Sequence, residues 1–510
     1  MPILKERIIY DCYTGDNLKE YIKSTGVSKL EERDFVKGIG EYLRSKHLRV
    51  YSISGLRGVG KTTGILQTIA NLDEYENSLY IIIDEMSSMD CVDLREILEK
   101  YDDKKYIFID EVTRINGFIG GSGFLADKIV AEGKRVVISG TDSLSLVKTS
   151  GSGLYHRCII KNVTHISYRE VKKTMGLSLA QYVDFGGLYT EDFIKDVAGV
   201  RQYIETAVID NIMNTLNKNE QVTSLLGLEG IDRLSLRTMV FRILYAVIYS
   251  SIKPSRTTNV LKFINQYEFA DSEYYDAKVL NELVCAEMDV DESICISQKY
   301  IKSILNAMVD IGILICVPNL NEQEEYSYYI TNPSVVTQIT RSILKVLDTS
   351  GVERKQGWNI NSTRGLVFEC VLMVHTYFIA EKFGCKTFYY HNKKYNSEVD
   401  IIIAKQYDDE FESKFLLYEV KYTNDADIAI LKTKWLNDIS LNEDISNYGT
   451  VIGRSIIYSG ESQRFEEFSS KDIFPPNGTT LSEIRDKNFK TMLINAEEYL
   501  LSIKDIVMKL

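Results

Sequence analysis

The sequence predicts an α/β chain in three parts: a parallel-sheet domain over residues 1–165, a mostly helical middle over 166–345 and a second mixed α/β domain over 346–510. Three observations predict it. Short apolar runs recur at 49–54, 79–84, 105–110, 135–139 and 158–163, separated by polar or amphipathic helical stretches, the alternation of a parallel sheet covered on both faces. From 165 to 345 the period becomes that of amphipathic helices, as over 202–217 and 234–250. Strand-like runs return near 397–404, 414–422 and 453–459. A single core rarely grows past ~250–300 residues, so 510 residues call for several domains. Residues 348–357, with Gly351 and Gly357, read as a linker.

Residues 1–45 read as a charged, helical lead-in to the first strand. Residues 55–62 follow that strand and read G-L-R-G-V-G-K-T, matching G-x-x-x-x-G-K-[ST] at every fixed position. Gly55, Gly58 and Gly60 let backbone N–H groups turn inward around phosphate oxygens, with Arg57 and Val59 between them. The helix opened by Thr62 and Thr63 adds its positive end. Lys61 reaches the β- and γ-phosphates of ATP, and the Thr62 hydroxyl is placed to hold Mg²⁺.

Residues 106–111 read Y-I-F-I-D-E, an apolar strand ending in two carboxylates where open α/β sheets put their ligand sites. Asp110 is the expected Mg²⁺ partner and Glu111 the expected general base for the attacking water. Residues 79–85 end the same way in Asp84 and Glu85, and are the fallback pair. The next strand ends S-G-T-D-S, where Thr141 or Ser139 can sense the γ-phosphate, an N-cap being an equal alternative for Thr141. Arg157, after the glycine-rich 150–153, is a candidate to reach nucleotide in cis or across the interface of a homo-oligomer, or else a surface arginine.

In the last third, Asp400 precedes the run I-I-I-A, an acid-rich turn follows, and then K-F-L-L-Y-E-V-K-Y. Glu419 and Lys421 are two apart on a strand and share a face. A hairpin would bring Asp400 beside Glu419, giving two carboxylates for Mg²⁺ with Lys421 as a water-activating cation. Glu369, on a helix that is apolar on its other face, is placed to reach the same point. Any DNA contact needs a local basic patch, and Lys386, Lys393 and Lys394, just upstream of Asp400, are candidates to hold a DNA backbone there.

Composition narrows the rest. A net charge of −12 excludes a chain that is a nucleic-acid-binding face all over. Eight scattered cysteines without a C-x-x-C pair offer no zinc ligand set and suit a reducing cytoplasm. No apolar run approaches the ~20 residues of a membrane span.

The ordered set Glu369, Asp400, Glu419, Lys421 resembles the PD-(D/E)xK nuclease signature, with Val399 where that signature has proline. As a whole the chain resembles prokaryotic AAA-type P-loop ATPases with a restriction-endonuclease-like C-terminal domain. The resemblance rests on L-R-G-V-G-K-T-T, I-D-E-V-T-R, I-S-G-T-D-S-L, H-I-S-Y-R-E and F-G-G-L-Y, then G-L-V-F-E, S-E-V-D and Y-E-V-K-Y. It implies Lys61 and Thr62 as Walker A, Asp110 and Glu111 as Walker B, and a winged-helix segment in the middle domain. The tip expected for that wing, N-L-N-E-Q-E-E, is acidic, which points to protein contact or spacing rather than DNA.

Overall fold

The computed structural model describes residues 10–84, 87–141, 154, 156–187, 209, 212–213, 231–250, 298–322, 325–337, 339–340, 360–392, 397–405, 413–426, 428–429, 444–460, 467–468 and 491–510. Glu85, the loop 150–153, most of 202–217, Cys285, Cys295, the linker 348–357, Lys393, Lys394 and the turn 406–412 lie outside the described residues.

The first sheet is built from β1 (Tyr10–Tyr13), β2 (Val50–Ser54), β3 (Ser78–Ile83), β4 (Tyr106–Asp110), β5 (Arg135–Gly140) and β6 (Cys158–Asn162). Their order across the sheet is β1-β3-β4-β5-β2-β6, and every pairing is parallel except β1 with β3. Helices α1 (Gly15–Thr25), α2 (Asp34–Arg44), α3 (Lys61–Leu72) and α4 (Cys91–Lys100) accompany it. The continuous apolar runs are explained by this coverage: all five residues of β2 and of β4 are buried. The lead-in departs from the helical expectation, because its four residues Tyr10–Tyr13 add an antiparallel edge strand. Tyr13 stacks on Tyr21 of α1 at 4.2 Å, which ties that strand down.

The middle region contributes α5 (Tyr168–Met175), α6 (Leu179–Phe185), α7 (Arg233–Ser250) and α8 (Gln298–Asp310). Strands β7 (Leu314–Pro318) and β8 (Tyr326–Ile330) then form an antiparallel hairpin. That hairpin docks inside the chain: Leu320 N–H donates to Tyr389 O, and Asn319 Nδ2 donates to His391 O at 3.2 Å.

Helix α9 (Ile360–Lys382) leads into β9 (Lys386–Asn392), β10 (Ser397–Lys405), β11 (Ser413–Lys421), β12 (Gly449–Tyr458), β13 (Glu467–Phe468), β14 (Thr491–Asn495) and the final helix α10 (Ala496–Lys509). The second sheet has the order β13-β14-β12-β11-β10-β9. Strands β9, β10 and β11 run antiparallel, whereas β11, β12 and β14 run parallel. The largest apolar core is shared: it runs from Leu18 of α1 through Val171 of α5 and Leu372 of α9 to Leu510. Among the described residues no helix is long and apolar enough to cross a membrane.

Candidate functional site

The phosphate-loop sequence leaves β2 at Ser54 and enters α3 at Lys61, at the C-terminal end of a strand flanked by β5 and β6. Gly55 must be glycine: a Cβ there would lie 2.2 Å from the Val163 carbonyl oxygen, and its φ is +155°. Lys61 is buried, and its ammonium donates to the Gly55 and Leu56 carbonyls at 2.8 and 2.9 Å. Burial lowers its pKa, and the negative charges of Glu111 and Asp110 oppose that shift. Arg57 and Thr62 are exposed on the loop and the helix start, Thr63 is half-buried and Val59 is buried.

Asp110 lies directly across from this loop. Its Oδ2 accepts from Thr62 Oγ1 at 2.7 Å and from Tyr80 OH at 3.1 Å, and Ser139 Oγ donates to its other oxygen. Glu111 follows in the left-handed region at φ +59°, an uncommon setting for a non-glycine residue that turns the chain off the strand end. Thr141 Oγ1 donates to Glu111 Oε2 at 3.3 Å. Lys61, Thr62, Asp110, Glu111, Ser139 and Thr141 therefore meet at the C-terminal edge of the three neighbouring strands β4, β5 and β2. The rival Asp84 is exposed beyond β3, two strands further from the loop than β5. Asp84→Asn is expected to shift stability by no more than about 0.5 kcal/mol and to leave phosphate release from ATP at the wild-type rate. Loss of turnover in that variant would transfer the Mg²⁺ carboxylate from β4 to β3.

Arg157 is not brought to this site. It precedes β6, and its carbonyl accepts from Val50 N–H at the start of β2, the end of the strand opposite the loop. Its guanidinium pairs with Asp127 at 2.6 Å on the surface. The glycine-rich approach suggested proximity to phosphate, but a parallel strand returns the chain to the bottom of the sheet before it rises.

Sequence reading missed Arg33. Its side chain is buried, donates to Val59 O in the loop at 2.6 Å, and forms a two-pronged pair with Glu170 at 3.1 and 3.0 Å. Glu170 also completes the capping box of α5 with Ser167. Burial would raise the Glu170 pKa, but Arg33 and Ser167 outweigh it and hold the carboxyl below its ordinary value. No local pattern announces Arg33, because its partners lie up to 137 residues away.

A second cluster forms where β10 meets β11. The register aligns Ile401 with Tyr418, which sets Asp400 alongside Glu419. Asp400 Oδ2 accepts from Val420 N–H at 2.7 Å, and Lys421 Nζ lies 2.7 Å from Glu419 Oε1 and 3.7 Å from Asp400 Oδ2. Glu398, which sequence reading quoted but did not select, completes a set with Asp400 and Glu419 whose ligand oxygens all lie within 4.8 Å of one another. The alternation signal was available, since Glu398 and Asp400 are two apart on one strand. Glu369 on α9 is half-buried within range of all these charges: desolvation first, then Asp400 and Glu398, push its carboxyl well above the usual range. Burial and Asp400 do the same to Glu419, which is fully buried. Lys421 is pulled the other way: burial would lower its pKa, but Asp400, Glu419 and Glu369 raise it.

The cluster fits a divalent cation on one observation. Glu419 Oε2 is buried without a hydrogen-bond partner, and a buried carboxylate oxygen left so is destabilising unless a cation or proton meets it. Lys386 does not belong here. It pairs with Ala404, at the other end of β10, so about four strand residues or ~14 Å separate it from Asp400.

Residues 47–172 match the AAA domain family. The parallel-rich sheet over this span is that of a P-loop NTPase, and the similarity suggests ATP binding and hydrolysis. No curated protein sequence matches the chain. Among solved structures, PCH-2 of C. elegans aligns at 15% identity over 46% of this chain and 68% of that one, with a TM-score of 0.21. Cdc6p from Pyrobaculum aerophilum aligns at 13% identity over 66% and 96%, with a TM-score of 0.23. The Hsp104-ADP complex of S. cerevisiae aligns at 14% identity over 72% and 58%, with a TM-score of 0.26. At these scores the alignments carry no argument about the overall architecture.

Proposed function

We propose that the chain is a Mg²⁺-dependent ATPase that couples nucleotide turnover to nucleic-acid handling through a metal-dependent, nuclease-like C-terminal domain. The observation that carries the first half is the 2.7 Å contact between Thr62 Oγ1 and Asp110 Oδ2, which joins the two side chains this chemistry assigns to Mg²⁺. Lys61 and the loop amides from Gly55 to Thr63 hold the phosphates. Glu111 accepts the proton of the attacking water, and Thr141, touching Glu111, is placed to read the γ-phosphate. Thr62 and Asp110 would hold Mg²⁺, which would supply charge neutralisation of the phosphates.

The second half rests on Glu398, Asp400 and Glu419, which would hold a divalent cation, with Glu369 closing the set and Lys421 positioned to orient a water. Such a cation would supply Lewis-acid polarisation of a phosphodiester. The helix–β-hairpin–β arrangement of α9, β9, β10 and β11 is the frame a PD-(D/E)xK site needs. One observation favours a second reading, an ATP-controlled switch whose C-terminal domain binds without cutting. Lys386 is remote from Asp400, and the β7–β8 end is docked on Tyr389 and His391. An ATPase assay with and without DNA separates the two. The coupled reading expects DNA to raise the rate of phosphate release, and a rate indifferent to DNA, with no Mn²⁺-dependent cleavage, leaves the switch.

A further inference from the structure

We propose that nucleotide at the phosphate loop sets the placement of α9, and with it Glu369 against the C-terminal carboxylates, through a buried relay running Val59–Arg33–Glu170–Tyr168–His375. This rests on the nucleotide reading above and adds how the second site is governed.

Each step of the relay is a hydrogen bond or ion pair except that from Glu170 to Tyr168, which is the first turn of α5 itself. Arg33 Nη1 donates to the loop carbonyl of Val59 at 2.6 Å, and Nη2 donates to His165 O at 3.3 Å. The same guanidinium grips Glu170, which also accepts from the Asp34 and Ser167 N–H groups. Glu170 thus fixes the start of α5. The first N–H of that helix, Tyr168 N–H, donates to His375 Nε2 at 2.8 Å. His375 Nδ1 sits 2.7 Å from Val371 O, and a carbonyl only accepts, so Nδ1 carries the proton and Nε2 is the acceptor. His375 and Glu369 are six residues apart on one unbroken helix, about 9 Å along its axis. A second tie runs beside the first, Lys172 of α5 to Glu497 of α10 at 2.8 Å.

The junction also carries a sign of a second arrangement. His165 is buried, and neither ring nitrogen has a hydrogen-bond partner. Its ring lies edge-on to His375 at 5.4 Å. A buried polar ring left unsatisfied where two domains meet marks a packing that another arrangement would relieve. A charged phosphate drawn into the loop acts on the backbone Arg33 holds, and Arg33 has no slack, being bonded at every step. Movement is then transmitted to α9 as a body, because its packed helix slides or turns as a unit.

Amide hydrogen exchange on the full chain, with and without the non-hydrolysable analogue AMP-PNP and Mg²⁺, tests this. In the wild type, AMP-PNP is expected to protect the loop amides and to slow exchange in α9 by about fivefold or more, the lower end of typical site-to-site coupling. His375→Leu and Glu170→Gln should retain loop protection and lose the effect on α9. His375→Gln should retain part of it, since its amide oxygen can accept from Tyr168 N–H. Protection of the loop with no change in α9 overturns the proposal and leaves the nucleotide reading standing. An α9 response that survives in both His375→Leu and Glu170→Gln overturns the relay. Absence of loop protection removes the nucleotide reading and the proposal together.

Discussion

Glu111→Gln is expected to bind Mg·ATP as tightly as the wild type and to hydrolyse it roughly 10²–10⁴-fold more slowly, the contribution of a positioned general base. The two carboxylates at the end of β4 differ in what holds them. Asp110 is buried and bound by Thr62, Tyr80 and Ser139, which is the setting of a fixed ligand. Glu111 is half-buried, turned away from the strand by its positive φ, and its carboxylate accepts from the Thr141 hydroxyl. The amide in Glu111→Gln keeps the shape and the Thr141 contact while removing the basic oxygen, so binding survives and turnover does not. Lys61→Ala is the companion measurement. It deletes the buried ammonium at the loop and should abolish binding seen by calorimetry. Wild-type phosphate release from Glu111→Gln would sink the assignment of β4.

Mn²⁺ is expected to stabilise the wild type by about 2.7 kcal/mol at a concentration 100 times its dissociation constant, and the stabilisation assigned to the C-terminal cluster should vanish in Asp400→Asn. The asparagine oxygen can still accept from Val420 N–H, so the strand pairing is kept while the charge is lost. Melting is best followed without nucleotide in an Asp110→Asn background, which removes the carboxylate assigned to the first metal site. The pH dependence has a definite sign. Glu369 and Glu419 have folded pKa values raised above their unfolded ones, so without metal their contribution is present at low pH, below the ordinary glutamate value, and is lost as pH rises through the folded values. A cation competes with those protons, so its stabilising effect should grow with rising pH and fade on acidification. Cleavage of plasmid DNA with Mn²⁺ should follow the same pattern: kept in Lys61→Ala, lost in Asp400→Asn and Lys421→Ala.

What was legible in the sequence follows from how local each signal is. Loop, strand and helix stand within 24 residues at 49–72, and the apolar run before Asp110 shows it to be a buried strand end, so those side chains were found by reading along the chain. Asp400, Glu419 and Lys421 could be grouped because a hairpin is also a local object with a period of two. Arg33 could not be found that way: nothing near it in sequence explains a buried arginine, and its partners Val59, His165 and Glu170 come from distant segments. Of the two readings open for Arg157 the position at the base of β6 fits the surface arginine, and Lys386 stands at the far end of its strand pairing from Asp400, for a related reason. Sequence neighbours of a site lie at either end of a strand, and only direction and register decide which end. Tyr10–Tyr13 was read as part of a helical lead-in because four residues are too few to show a period.

The shared core has a consequence for how the molecule comes apart. Among the described residues, apolar side chains from α1, α5, α9 and α10 meet in one cluster, so parts that are far apart along the sequence pack against one another and are expected to melt together. Unfolding is cooperative across such an interior, because opening one part strips packing from the next. The phosphate loop and the carboxylate cluster are then expected to be lost in the same transition, which calorimetry would show as a single peak. A cavity made in α9, at Leu372 or Met373, would register as weakened nucleotide binding on heating although no atom near the nucleotide had changed.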